Sequence, residues 1–317
     1  MKKLLLAFWP ALFVFCAALG TPDPLGPQHP LAPMKLAVTI DDIPANGDLI
    51  PPTTRMGIVR SVLAALRNNG VKQSYGFANH FDGMEDVAKE WLAAGYPLGN
   101  HTYNHLDLGN VSPEVYIANI EKMDQALATL APFSTLISHR HVFRYPFLQE
   151  GETLAKRDAV RSYLVRNNYR IAEVTVDYED WVWNAAYLRC LRQHDDKSIV
   201  WLKEHVVDAA ERNLRRSRAL SRKVLGKDIA QILLLHDSAF NAVMLDEVLK
   251  DFRARGVQLI TVDQALADPA YKINPNRGFP FGLTFLEQLA AAHNVDINQW
   301  DEKKYSRDSI NRVCVAK

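Results

Sequence analysis

Cysteine is scarce in this chain, three among 317 residues, and that scarcity excludes a Cys-rich metal site. An excess of either charge is missing as well. Lys plus Arg number 37 against 36 Asp plus Glu, so no global field exists to gather nucleic acid or an anionic membrane. One stretch is locally basic (Arg212, Arg215, Arg216, Arg218, Arg222 and Lys223), but no aromatic residue interleaves it to stack on bases. It reads as the solvated face of a helix. With 48% hydrophobic and 23% charged residues the composition is that of a globular protein, which excludes disorder and collagen-like repeats.

Long apolar runs are absent beyond the first residues. Leu4 to Leu19 follows Met1-Lys2-Lys3 and leads into Gly20-Thr21-Pro22, with small residues Ala18 and Gly20 at its end. This is the layout of a secretory signal peptide over residues 1–20. A retained anchor needs about 20 apolar residues, and this run is shorter and contains Pro10. Phe15 before Cys16 argues against a lipoprotein signal. The expectation is therefore a secreted or periplasmic protein with no stable membrane span after cleavage. Cys190 and Cys314 would then sit where disulfides are permitted, either paired, tying the tail to the body, or as two buried thiols.

After a Pro-rich linker over residues 21–34, β-rich runs alternate with helical periodicity, which argues for parallel strands with helices outside. The expected strands are Lys35–Ile40, Gln73–Ala78, Tyr96–Gly99, His141–Arg144, Tyr169–Val176, Ile229–Leu235 and Val257–Val262. Between them lie helices such as Thr53–Asn69, Met84–Ala94 and Asn241–Arg255, closed by Gly70, Gly95 and Gly256, and one long helix over Ser198–Leu225. Seven repeats suggest an α/β fold over residues 35–268, a distorted or incomplete (β/α) barrel; a doubly wound open sheet shows the same alternation. Residues 269–317 read as a C-terminal extension packed on the barrel, where Thr284-x-x-Glu287 is a capping box. Phe279, Phe281 and Trp300 there read as core aromatics, with a groove lining as the alternative.

The residues with chemistry fall where strands end, which is where an α/β barrel builds its site. The first strand runs into Asp41-Asp42, adjacent carboxylates that repel and need a cation nearby. The third ends in Gly99-Asn100-His101-Thr102-Tyr103-Asn104-His105, and two His four apart on one helical turn face the same way. With a strand-end Asp they compose a two-His, one-carboxylate site for a divalent metal with open positions, which suits Zn²⁺ first and also Fe²⁺, Co²⁺ or Mn²⁺. The remaining strand ends carry Arg144-Tyr145-Pro146-Phe147, Asp177-Tyr178-Glu179-Asp180-Trp181 and Leu234-Leu235-His236. Taken singly, Arg144 reads as a surface salt-bridge partner, Asp180 as a helix N-cap and His236 as a satisfied histidine at a strand end. The remaining seven histidines read as structural or surface residues.

Together and in this order, the five segments resemble the motifs of the polysaccharide deacetylase, or NodB-homology, family from about Lys35 to Ala265. The resemblance implies a metal held by Asp42, His101 and His105. It implies Asp41 as general base taking a proton from the attacking water, Arg144 pairing with Asp41, and the backbone N–H of Phe147 facing an oxyanion. His236 would be the general acid, Asp180 would orient it, and Trp181 and Leu234 would line a pocket for the acetyl methyl. The implied activity is removal of N-acetyl groups from an amino-sugar glycan such as chitin-like material, peptidoglycan or an exopolysaccharide. An O-acetyl (xylan) esterase, a small-molecule C–N amidohydrolase and a non-catalytic glycan-binding protein rank below it. Two departures stand out. Ile43-Pro44 follows the paired Asp where the family has Gly, which would put a branched side chain beside the substrate, and Phe147 replaces a common Tyr.

Overall fold

The computed structural model describes Leu25, Leu31 and residues 33–44, 46–134, 136 and 141–315; the expected signal peptide and most of the linker lie outside the described residues. Strands and helices alternate as expected. Strand β1 (Met34–Ile43) leads to helix α1 (Arg55–Asn68), β2 (Tyr75–Ala78) to α2 (Glu85–Ala93), and β3 (Leu98–Asn100) to α3 (Pro113–Ala128). Next come β4 (Val142–Phe143) with α4 (Leu154–Arg166), then β5 (Arg170–Ile171) with α5 (Asp180–Gln193) and α6 (Asp196–Leu225). The sheet ends with β6 (Gln231–His236), α7 (Ala239–Ala254) and β7 (Val257–Ile260), and three short helices follow: α8 (Val262–Leu266), α9 (Phe285–Ala292) and α10 (Arg307–Asn311). Thr54 caps α1 by accepting from the Gly57 amide, and Gly70, Gly95 and Gly256 carry positive φ after their helices, as the sequence indicates.

All strand pairs are parallel, in the order β5-β4-β3-β2-β1-β6, with β7 against the start of β1. The expected strand over Tyr169–Val176 is the one that differs. Only Arg170–Ile171 pairs regularly, because the segment leaves one sheet edge and arrives at the other. Ala172 N–H donates to Phe143 in β4, whereas Thr175 and Val176 donate to Ile232 in β6, and Leu234 returns a bond to Val176 at 3.0 Å. A strand paired at its start with one edge and at its end with the opposite edge closes the sheet. The result is a distorted barrel, and the open-sheet alternative falls away.

Alternation along the strands sorts side chains between two environments. Leu36, Val38 and Ile40 of β1 face outward and pack with Val62 and Leu66 of α1 and Val248 and Leu249 of α7. Ala37 faces inward with Tyr75, Phe77, Val142 and Ile232, and Val262 and Ala265 of α8 join this inner cluster. Above that apolar floor the inward positions turn polar: Thr39, Asp41, Arg144 and His236. Gly99 is required there, since a Cβ would come within 2.6 Å of the Phe77 ring.

Cys190 of α5 and Cys314 form a disulfide, with Cα atoms 5.2 Å apart. The tail is thus covalently tied to the body. Among the described residues no helix is long and apolar enough to cross a membrane.

Candidate active site

In a regular strand Asp41 and Asp42 would point to opposite faces. They do not, because the pairing with β2 slips between Asp41 and Ile43 and Asp42 adopts φ 61°. This bulge re-aims Asp42 so that both carboxylates serve one site. Ile43 then returns to the core, fully buried and packed over Gly76, where a Cβ would lie 2.9 Å from its Cγ1. The narrowing expected from a branched residue after the Asp pair does not occur.

Asp41 is buried against Arg144, whose guanidinium donates to both carboxylate oxygens at 3.1 and 3.2 Å. The same guanidinium donates to Thr39 Oγ1 at 3.0 Å and to the Ala172 carbonyl at 2.7 Å, and it lies over the Phe77 ring. Burial pushes the Asp41 carboxyl up to about 6, with Arg144 and His236 opposing the rise. A carboxylate poised near neutrality can accept a proton.

Asp42, His101 and His105 bring one ligand atom each to within 4.8 Å of one another. The two histidines do not lie on a helical turn. Strand β3 ends at Asn100, and Thr102 and His105 take positive φ in the loop that follows, so loop curvature rather than helical spacing brings the rings together. Their centroids are 4.8 Å apart. His105 Nε2 lies 3.3 Å and His101 Nε2 3.8 Å from Asp42 Oδ1. His101 Nδ1 is 2.8 Å from the Arg144 carbonyl, which can only accept, so the proton sits on Nδ1 and Nε2 offers its lone pair. Burial lowers both histidines below their ordinary value, favouring the neutral, ligating form. Burial alone would raise Asp42, but His105, His236 and His101, with a hydrogen bond from Asn46, hold it ionised. Asn46 and Asn79 donate to its two oxygens at 2.6 and 2.9 Å. Three N and O donors converging on one point, with Asp42 and His101 each fixed by a second contact, fit a divalent metal.

Opposite this cluster, Asp180 opens α5 and accepts from both the backbone N–H and the ring Nδ1 of His236, at 2.8 and 2.7 Å. Asn241 of α7 secures the pair by donating to Asp180 and to the His236 carbonyl. Burial works against a charged His236, yet Asp180, with Asp42 and Asp41, outweighs it and pushes the ring up to about 10. His236 is thereby held in its charged form.

Asp41, Asp42, His101, His105 and His236 line one cavity of about 860 Å³, together with Trp181, Leu234, Asp177 and Phe147. Burial pushes Asp177 up to about 7; it accepts from the Glu179 amide and caps the turn into α5. Phe147 and Leu148 have φ of 57° and 53°, each costing about 1–2 kcal/mol for a residue with a Cβ. The described histidines outside the motifs (His80, His141, His194, His205 and His293) do not line the cavity; His29 and His139 lie outside the described residues.

The tail departs from expectation. Phe281, Gly282, Leu283 and Thr284, and further on Tyr305, Ser306 and Arg307, form part of the cavity wall. Phe281 is 62% exposed at its rim, whereas Phe279 is buried and Trp300 packs on a small apolar cluster. Arg307 lies over the Trp181 ring and donates through Nε to Glu179 at 2.9 Å. No local sequence signal places Gly282 or Arg307 at the site, since the residues they meet, Phe147 and Glu179, lie more than a hundred positions away.

The α/β barrel thus presents a two-His, one-Asp cluster that could hold a metal ion, flanked by a buried carboxylate and a histidine. The profile of the family described as polysaccharide deacetylase matches residues 29–170 of the chain. A chitin deacetylase of Arthroderma benhamiae is 22% identical over 220 residues, spanning 66% of this chain and 48% of the relative. A peptidoglycan-N-acetylglucosamine deacetylase of Bacillus cereus is 24% identical over 148 residues, 46% of each protein. The chain thus spans about half the length of the curated relatives it matches. Among solved structures, a family 4 carbohydrate esterase from Streptomyces lividans in complex with acetate aligns at 22% identity and a TM-score of 0.46, over 73% of this chain and 95% of that one.

Proposed function

We propose that the protein is a metal-dependent deacetylase that removes N-acetyl groups from an amino-sugar glycan in a secreted or periplasmic setting. The observation that carries this reading is the convergence, on one cavity, of a poised carboxylate, a metal-competent triad and a protonated histidine. The chitin and peptidoglycan deacetylase relatives support the substrate class. The disulfide and the apolar run over Leu4 to Leu19 support the location.

A divalent metal, Zn²⁺ by preference, held by Asp42, His101 and His105 would polarise the acetyl carbonyl and acidify water. Asp41 removes the proton from the attacking water, and Arg144 and Thr39 keep its carboxylate fixed in the barrel. The Phe147 amide faces the developing oxyanion, an interaction whose loss costs about 10²- to 10³-fold in rate. His236 delivers a proton to the leaving nitrogen, and Asp180 stabilises its charged form. Trp181 and Leu234 take the acetyl methyl.

The test is acetate release from chitin oligosaccharides, peptidoglycan and acetylated xylan, before and after chelation and metal return. Release from the N-acetyl substrates that disappears on chelation and returns with Zn²⁺ is expected. Release from xylan alone would turn the reading to an esterase. No release from any metal-loaded sample would overturn it in favour of a small-molecule amidohydrolase or a binding protein.

A further inference from the structure

The turn that presents the Phe147 amide is backbone-strained at two consecutive residues, and its own hydrogen bonds are few: Leu148 N–H to the Tyr145 carbonyl and Gln149 N–H to Pro146. Such conformations persist where the surroundings over-determine them. The Phe147 ring packs edge-on against His105, with centroids 4.5 Å apart, and on the backbone side the surroundings come from the C-terminal tail. Phe279 N–H donates to the Gly151 carbonyl at 3.0 Å, and Phe285 N–H donates to Val174 at 2.7 Å. Gln288 donates to the buried Glu150 carboxylate at 2.7 Å, and the same amide donates to the Leu283 carbonyl. Between these anchors the tail lies directly on the turn. A Cβ on Gly278 would be 2.6 Å from the Thr153 backbone, and one on Gly282 would run into the Phe147 carbonyl oxygen. Only a residue without a side chain lets two backbones approach so closely.

We propose that segment 278–284 is a brace that holds the Phe147–Leu148 turn in its left-handed form, and that Gly282 is a positioning residue for the Phe147 amide. The proposal rests on reading that amide as the oxyanion donor. It makes the tail, which lies outside the family-matched residues 29–170, a working part of the site. The brace acts at long sequence range and at contact distance: a methyl group at Gly282 must displace either the tail or the Phe147 carbonyl. Since that carbonyl and the Phe147 amide belong to the same strained turn, the amide swings with it.

Two full-length variants test this. Gly282→Ala pushes on the turn, and Gln288→Leu releases the tail's hold on Glu150 without any clash. Gly226→Ala, at a positive-φ glycine whose Cβ would meet nothing within 4 Å, controls for backbone strain alone. Both test variants are expected to speed amide hydrogen exchange in the peptide over residues 145–149 by roughly tenfold or more. They are expected to lower kcat by about 10²-fold for Gly282→Ala, with KM and zinc content unchanged. Gly226→Ala should do neither. Wild-type exchange rates at 145–149 in both test variants would overturn the brace, whether or not the wild-type protein releases acetate. Faster exchange with unchanged kcat in an active enzyme would overturn the positioning role. An inactive wild type would refute the deacetylase reading while the exchange comparison still decides the brace.

Discussion

Two buried charge pairs stand at the ends of the neighbouring strands β1 and β6, where Asp41 and His236 are register partners, and they are built from opposite choices. On one side Arg144 holds Asp41; on the other Asp180 holds His236. In the first pair the cation is fully inside the barrel and spends its remaining donors on Thr39 and Ala172, so the carboxylate has the oxygen surface left to act. In the second the carboxylate is the inner member, tied by the His236 amide and Asn241, and the ring is left to act. Burial raises Asp41 despite its cation, whereas His236 is raised by its carboxylate despite burial. The same two ingredients give a carboxyl raised toward neutrality and a histidine that stays charged well above it. What differs is which partner the fold has satisfied first.

Asp41→Asn breaks the first pair at its working end. It keeps the shape and the hydrogen bond to Arg144 but cannot take a proton, so turnover should fall by up to about 10⁴-fold while zinc content stays at wild-type level. Ordinary turnover in a metal-replete Asp41→Asn protein would move the base elsewhere. Arg144→Met breaks the same pair at its supporting end. It strands a buried carboxylate, which costs about 3–5 kcal/mol, and denaturant titration should show the loss near neutral pH. The loss should shrink at acidic pH, where Asp41 is neutralised.

Asp180→Asn sharpens the second pair through the pH profile. With the carboxylate present His236 is protonated up to about pH 10, so the alkaline limb of kcat/KM lies high. Without it burial is left to lower the ring, and the limb should move to lower pH, with activity near pH 8 falling more than activity near pH 6. The sign for stability is the same: a group raised on folding contributes below its unfolded value near 6.5, and that contribution fades as pH climbs toward 10. An unmoved alkaline limb would show that His236 is not the titrating acid.

Much of this site is legible in the sequence because strand ends are legible. An apolar run that stops at Asp41-Asp42, or at Leu235-His236, announces a polar rim above a barrel floor. Which way each side chain turns there is not announced. The Asp42 bulge decides that two neighbouring carboxylates share a site, and the loop curvature at Thr102 and His105 joins two histidines that helical spacing was expected to join. Strand periodicity likewise overstates the segment from Tyr169 to Val176, because a residue-by-residue pattern does not record a strand that changes partners midway. The tail is the least legible part. Phe281 and Gly282 are ordinary in composition, and their importance comes from partners at Phe147 and Gly151.

The disulfide between Cys190 and Cys314 has a temporal consequence. The chain leaves the ribosome from its amino end, and segments that can fold early tend to do so. Both charge pairs and the metal triad are complete once His236 has emerged, but the wall contributed by Phe281 and Arg307, and the cross-link beyond them, arrive afterwards. In order of synthesis the clustered residues therefore precede the wall, and the bond at Cys314 can fasten the tail only after both have been made.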